Sequence, residues 1–134
     1  PAERNRLYDV MQKNNTNFIS LAGDTHNAWV SELTDASGHK IGIELGAPSV
    51  TSPGITDAVK IDGEEFADKI IDINSELYWM NPKNRGYLTL EFDQDKLVAK
   101  FNFIKKLLEV DASISSTKIF QVQKNKLGIT KKNV

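Results

Sequence analysis

The pattern of hydrophobic and polar residues predicts a helix and then a buried strand at the start of the chain. Residues 2–14 are predicted to be helical, because Leu7, Val10 and Met11 would share one apolar face. Residues 17–22 are mostly apolar and predict a strand. We therefore expect one helix that packs on a sheet.

The next part of the chain predicts a hairpin, a loop and a second helix. Residues 28–33 could form a short helix or a strand, and their length does not decide between the two. Residues 35–39 have the composition of a turn, and residues 40–45 predict a strand that could pair across it. Residues 46–54 are rich in Gly, Pro and hydroxyl side chains and predict a loop. Residues 64–76 predict a helix.

The last third predicts antiparallel strands. Residues 77–85 are expected to be irregular. Residues 86–92 and 97–104 each alternate between apolar and polar side chains, as half-buried strands do, and a short polar turn joins them into a hairpin. Residues 118–122 could add an edge strand.

Composition narrows the function classes. The chain has 134 residues, of which 40% are hydrophobic and 26% charged, as in folded globular domains. Its formal net charge is -1 and it lacks a basic stripe, so we expect no nucleic acid partner. The absence of cysteine excludes disulfides and thiolate metal sites. We expect no membrane span, and the first residue, Pro1, indicates that a leader was removed or that the sequence begins within a longer protein.

Asp24 and His26 are the best candidates for metal chemistry. They follow the predicted strand at residues 17–22 and are separated by one residue. In an extended chain such residues point the same way, about 6.6 Å apart, which suits ligands of one metal ion or of two neighbouring ions. The structural alternative is that Asp24 only caps a turn, through hydrogen bonds from its carboxylate to backbone amides. Because His39 is the only other histidine, a two-metal centre would need ligands from outside this chain.

Three segments carry a resemblance to a known family. They are, in chain order, residues 23–29 (Gly-Asp-Thr-His-Asn-Ala-Trp), residues 46–54 (Gly-Ala-Pro-Ser-Val-Thr-Ser-Pro-Gly) and residues 79–87, which contain Trp-Met-Asn and Arg-Gly-Tyr. In this order they resemble the C-terminal part of the PhoD-like alkaline phosphatase/phosphodiesterase family, and the closing hairpin resembles the family's ending. The resemblance covers roughly residues 17–122.

The resemblance implies a fold and a function. The implied fold is α/β: the C-terminal half of a metallophosphatase-type β-sandwich flanked by helices, strand-rich and with a C-terminal antiparallel hairpin. Residues 1–122 would be the C-terminal portion of that domain, and residues 123–134 a polar tail. The implied function is metal-dependent hydrolysis of phosphate monoesters or diesters by the parent protein, with Asp24 and His26 as metal ligands. Iron and calcium are the implied cofactors, and export to the periplasm or cell exterior is the implied localisation.

The chain also departs from the family pattern. Family members often carry Asn-Pro-His where this chain has Asn74, Ser75 and Glu76, so no function is assigned to these residues. The resemblance also implies that the remaining metal ligands lie mainly in upstream motifs that this chain lacks. A second hypothesis is therefore a catalytically silent fragment or interaction domain, which needs the missing N-terminal half of its domain or self-associates through exposed apolar surface. A metal-free secreted binding module would follow if the resemblance were accidental.

Asn27 and Arg85 are candidate substrate contacts. Asn27 could orient the imidazole of His26 or touch the substrate, and a role in the turn explains it equally well. Arg85 could bind a phosphate through its planar guanidinium, with a surface salt bridge as the alternative. Hydroxyls in residues 46–54 could contact phosphate, although a rigid turn that caps the next helix explains them slightly better.

Overall fold

A computed structural model describes residues 2–14, 17–106 and 113–132. Three helices and eight strands occur in these residues, in the order α1 (Ala2–Lys13), β1 (Phe18–Ala22), β2 (Ala28–Thr34), β3 (Lys40–Gly46), α2 (Ile55–Val59), α3 (Gly63–Ile73), β4 (Leu77–Asn81), β5 (Gly86–Phe92), β6 (Lys96–Ile104), β7 (Ile114–Gln123) and β8 (Lys131–Lys132). The prediction of a strand-rich α/β structure is confirmed.

The strands form two four-stranded sheets. The first has the order β1-β3-β2-β4, in which β1 runs parallel to β3 and the other neighbours are antiparallel. The second has the order β5-β6-β7-β8 and is antiparallel throughout. Both predicted hairpins are confirmed, since β2 pairs with β3 across residues 35–39 and β5 pairs with β6.

One apolar core joins the two sheets. Its buried residues are Ala28, Val30, Ile43 and Leu45 from the first sheet, and Leu97, Ala99, Phe101, Phe103, Phe120 and Val122 from the second. Trp79 of β4 packs on three rings of the second sheet, at centroid distances of 5.1 Å, 5.2 Å and 6.4 Å. Two sheets packed about one core agree with a sandwich, and its assignment to the metallophosphatase type remains a prediction.

Residues 28–33, which the sequence left open between helix and strand, belong to β2. This strand is flanked by β3 on one side and β4 on the other. Its residues Ala28, Val30, Ser31 and Leu33 are buried. Buried positions do not alternate regularly along it, because the burial pattern breaks between Val30 and Ser31, where the register with β4 shifts.

The predicted helix at residues 2–14 is confirmed as α1, but of its predicted apolar face only Met11 packs inward. Leu7 and Val10 are 42% and 51% exposed, whereas Tyr8 is buried. Tyr8 packs with Leu33 and Ile41 in a second, smaller cluster under the helix. The aromatic ring contributes more apolar area than the aliphatic side chains that set the prediction, so it determines which face turns inward.

The second predicted helix is confirmed in shortened form as α3. Asp62 caps its start, where the carboxylate accepts hydrogen bonds from the amides of Glu64 and Glu65 over 3.0 Å each. The helix ends at Ile73. The side chain of Asn74 then accepts a hydrogen bond from the Glu76 amide in a local turn. The predicted last turn is therefore part of the loop before β4.

Three further predictions need correction. Residues 77–85 are not irregular throughout, because Leu77–Asn81 form β4 and pair with β2. The predicted edge strand at residues 118–122 is part of the longer β7, which lies between β6 and β8. Helix α2 was not predicted, because five residues are too few to show helical periodicity.

The segment predicted as a polar tail contacts the first sheet. The side-chain amide of Asn17 donates to the carbonyl of Gln123 over 3.1 Å and to that of Lys126 over 3.2 Å. The amide of Ile129 donates to Oε1 of Glu32 over 2.9 Å. Separately, none of the helices in the described residues has the length and apolar character needed to cross a membrane.

Candidate functional site

The sheet topology brings the three motif segments to one edge of the first sheet. β1 is parallel to β3, and β4 runs the same way because β3 and β4 are both antiparallel to β2. The C-terminal ends of β1, β3 and β4 therefore meet at the edge where β2 begins. Residues 23–29 follow the end of β1 directly. Residues 46–54 and 79–87 contain the ends of β3 and β4 and the loops that follow them.

Hydrogen bonds tie the segments together. The Ala47 amide donates to the Ala22 carbonyl over 2.7 Å, which joins the loops after β3 and β1. The Gly86 amide donates to the Ser49 carbonyl over 2.9 Å, which joins the start of β5 to the loop after β3. Segments that are far apart in the sequence thus form one structural cluster.

Asp24 and His26 lie in a turn between β1 and β2, and not in extended chain as the spacing argument assumed. The His26 amide donates to the Gly23 carbonyl over 3.3 Å, which closes the turn. Asp24 is exposed, and His26 is half-buried. Only Thr25 separates the two residues in the chain. The Cα–Cα distance of about 6.6 Å expected in an extended strand therefore does not apply to this turn.

The ring of His26 has a defined orientation. Its Nδ1 lies 2.9 Å from the carbonyl oxygen of Pro53. A carbonyl oxygen only accepts hydrogen bonds, so this contact requires a proton on Nδ1. In the neutral ring, Nε2 then carries a free lone pair. Metal-binding histidines are commonly oriented in this way, by a hydrogen bond from the nitrogen that does not touch the metal.

The backbone of His26 is strained. Its φ is 60°, in the left-handed region, where a residue with a side chain costs about 1–2 kcal/mol. The turn bond to Gly23 and the ring bond to Pro53 offset this cost. Such strained residues cluster at functional sites, and among the described residues Lys60 and Asn125 share this conformation.

Arg85 is buried among the three segments, with 2% of its surface exposed. Its Nη2 pairs with Oδ2 of Asp57 in α2. Its Nη1 donates to the carbonyls of His26 and Pro82 over 3.4 Å and of Asn84 over 3.3 Å. The salt bridge considered as an alternative to substrate binding exists, but the arginine is not at the surface. In this conformation its two terminal nitrogens, Nη1 and Nη2, both bind groups of the protein itself.

Asp57 was missed by the sequence reasoning. Its carboxylate accepts from the Gly54 amide over 2.8 Å as well as from Arg85. The Gly54 amide and, to a lesser extent, Arg85 hold the pKa of this carboxyl below its ordinary value. The sequence does carry a signal for it, because the spacing Gly54-x-x-Asp57 is that of an N-cap residue and its N3 acid.

Asn27 is buried, and direct substrate contact would need an exposed side chain. Only 4% of its surface is exposed, and its side-chain oxygen has no hydrogen-bond partner. Among the described residues the other such buried side-chain atom is Nε of Arg85. The buried polar groups around His26 are therefore not all paired within the protein.

The hydroxyl-rich loop forms an internal turn. Oγ of Ser49 donates to the carbonyl of Ser52 over 2.6 Å. The following helix α2 begins at Ile55 with Gly54 as its N-cap residue, and the carboxylate of Asp57 accepts a hydrogen bond from the Gly54 amide. The expected turn is confirmed, but the expectation that hydroxyls cap the helix is wrong.

The residues present fit part of a metal centre. Asp24 and His26 offer an oxygen and a nitrogen donor, and the Nδ1 bond leaves the second ring nitrogen free. In the part of the chain that the structure describes, no group of three His, Cys, Asp or Glu side chains could hold a metal ion. Because catalytic metals usually take at least three protein ligands, a complete centre needs donors from beyond these residues.

Comparison with known families agrees with the motif order. A family model described as PhoD-like phosphatase matches residues 1–101. The chain belongs to the PhoD-like phosphatase family. This confirms the resemblance drawn from the three segments, and the match includes all four predicted site residues: Asp24, His26, Asn27 and Arg85.

A curated relative of this PhoD-like chain is similar over nearly all of its length. The chain is 29% identical over 136 residues to Alkaline phosphatase D of Bacillus subtilis (strain 168). The aligned part covers 98% of this chain and 22% of that protein. The chain thus spans about a fifth of the length of the relative that it matches. No solved structure matches the chain.

Proposed function

We propose that the full-length protein containing this chain is a metal-dependent phosphatase, and that Asp24 and His26 contribute two of its metal ligands. Membership of the PhoD-like phosphatase family supports the reaction class. The observation that carries the role of this chain is the hydrogen bond from Nδ1 of His26 to the carbonyl of Pro53, at the edge where the three motif segments meet. That bond leaves Nε2 available as a ligand.

The residues of this chain would hold and orient the metal. The carboxylate of Asp24 is exposed and can supply a charged oxygen donor, and neutral imidazole of His26 can supply a nitrogen donor. When bound, the metal would supply the positive charge that activates water and stabilises the phosphoryl oxygens. Arg85 would act behind the site, since its guanidinium contacts protein groups.

The substrate in this proposal is a phosphate monoester or diester. Iron together with calcium is the metal set that we propose, and export from the cytoplasm is the proposed localisation. All three follow from the family resemblance. An oxygen donor beside a nitrogen donor is compatible with both metals, because calcium takes oxygen ligands and iron accepts imidazole.

A second proposal concerns the chain by itself. We infer that residues 1–134 alone do not turn over phosphate esters. This is supported by the lack of a three-ligand group in the described residues and by the 22% coverage of Alkaline phosphatase D. The chain would then act as one part of a larger site.

Metal content tests the ligand assignment. Elemental analysis of the full-length protein should give near-stoichiometric metal, and the Asp24→Ala, His26→Ala double variant should lose most of it. His39→Ala is the matched control, because His39 lies in the exposed turn between β2 and β3. Unchanged metal in the double variant would remove both residues from the site.

Turnover tests the reaction class. We expect the full-length protein to release p-nitrophenol from p-nitrophenyl phosphate or from bis-p-nitrophenyl phosphate, and the ratio of the two rates reports monoester or diester preference. The isolated chain should release none from either compound. Metal-replete full-length protein that hydrolyses neither compound would contradict the proposed function.

A further inference from the structure

We propose that Asp57 and Arg85 are positioning residues, which hold the ring of His26 in the one neutral form that can bind a metal through Nε2. The metal-binding purpose of this arrangement rests on the proposed function above. The arrangement itself rests on contacts between five residues and can be measured without metal or substrate.

The contacts form a closed ring. Nδ1 of His26 donates to the Pro53 carbonyl over 2.9 Å. The next residue, Gly54, donates its amide to Asp57 over 2.8 Å. Asp57 pairs with Nη2 of Arg85, and Nη1 of Arg85 donates back to the carbonyl of His26 over 3.4 Å. Asp57 therefore reaches His26 by two routes, through the loop and through the arginine.

This closed set of contacts holds both the backbone and the side chain of His26. Arg85 holds the backbone carbonyl, and Pro53 holds the side chain. A left-handed backbone would otherwise relax toward a commoner conformation, because φ near 60° is unfavourable for a residue with a Cβ atom. The two contacts thus stabilise the backbone and the ring orientation together.

The packing leaves little space for another arrangement. A Cβ atom built on Gly54 would overlap the guanidinium of Arg85. The arginine side chain is 1% exposed, whereas that of Asp57 is 54% exposed. The loop at Gly54 is therefore seated directly on the buried arginine, so a change in the arginine should move the carbonyl of the preceding residue, Pro53.

This position of Pro53 has a chemical consequence. With its proton on Nδ1, neutral His26 presents a lone pair on Nε2. If the Pro53 carbonyl moved away, the proton could occupy Nε2 and would then compete with a metal ion for the same nitrogen. Asp57 and Arg85 would therefore influence metal affinity without touching the metal, as outer groups around metal sites do.

The test is the tautomer of His26 in the 134-residue chain, labelled with ¹⁵N at histidine and measured by long-range ¹H–¹⁵N NMR at a pH of about 9, where ordinary imidazole is neutral. In the unmodified chain His26 should be in the Nδ1–H form. Asp57→Asn, which weakens the pairing with Arg85, should shift it measurably toward the Nε2–H form. The other histidine, His39, should not change and serves as an internal reference.

Asp62→Asn is the matched control variant. Asp62 also caps a helix through backbone amides, but it does not contact the ring of residues around His26. It should lose comparable stability while the tautomer of His26 stays the same. Two results would overturn the proposal: an Nε2–H tautomer in the unmodified chain, or an unchanged tautomer in folded Asp57→Asn. Because the first measurement needs no variant, it can overturn the proposal even if Asp57→Asn does not fold.

A second readout in the full-length protein separates this inference from the proposed function. Asp57→Asn should weaken metal affinity by about 10-fold, and excess metal should restore most of kcat. A full-length protein without metal would contradict the proposed function and leave the tautomer result standing. If the full-length protein binds metal with an affinity that Asp57→Asn does not change, only the positioning role is contradicted.

Discussion

Arg85 illustrates at the scale of one residue how a motif and its contacts carry different information. The sequence marks the arginine as a possible phosphate ligand, since it lies in a segment shared with a phosphatase family. The contacts assign its charge to Asp57 and its donors to three carbonyls. Residue type gives the chemistry that is possible, and the buried partners decide which part of it is used.

The close fit between Gly54 and Arg85 predicts a large effect from one methyl group. Gly54→Ala should destabilise the chain by about 1–3 kcal/mol, because an added Cβ would overlap the buried guanidinium. Gly23→Ala in the neighbouring loop is the control, since its added Cβ would meet only the Ala47 carbonyl at 3.9 Å. Urea unfolding of both variants measures the difference. Equal stabilities would show that the loop at Gly54 yields easily.

At the scale of elements, the sequence predicted those whose side chains repeat regularly. The alternating strands β5 and β6 and the helices α1 and α3 were all found close to their predicted positions. β4 was missed because its local composition, with Trp79 beside Asn81 and a proline, resembles a loop, and only pairing with β2 makes it a strand. The candidate site residues were predicted from motif order. The spacing from Gly54 marks Asp57 as a helix-cap acid, and only the structure shows that it pairs with Arg85.

The turn between β2 and β3 predicts a dependence of stability on pH. Hydrogen bonds from the His39 amide, the Gln12 side chain and the Ser37 amide lower the pKa of Asp35 from 3.8 to about 2. Because the pKa is lower in the folded state, the ionised carboxylate stabilises the fold above about pH 4, and this contribution is lost as the pH falls toward 2.

Asp35→Asn should therefore lower stability at neutral pH and reduce the further loss between about pH 4 and pH 2. Denaturant titrations at several pH values measure this change in slope. Asp72→Asn on the exposed face of α3 is the matched control for removing one surface carboxylate. The prediction is wrong if the Asp35 variant and the unmodified chain lose the same stability on acidification.

At the scale of the whole molecule, a few large side chains account for much of the packing between the two sheets. Trp79 belongs to the first sheet, and its ring packs on Phe101, Phe103 and Phe120 of the second. The same strand, β4, leads directly into the segment that contains Arg85. Packing between the sheets and the geometry of the candidate site are therefore connected through one strand.

Trp79→Ala should reveal this connection. We expect a loss of about 3 kcal/mol in unfolding free energy, at the lower end of the range for removing a large core aromatic, because Trp79 is only partly buried. Phe92→Ala is the control, since Phe92 is 68% exposed and should cost much less. If β4 transmits the disturbance, the ¹⁵N signals of His26 should also move in Trp79→Ala at temperatures where the chain is still folded. A stability loss without any change at His26 would mean that the sheet packing and the candidate site are independent.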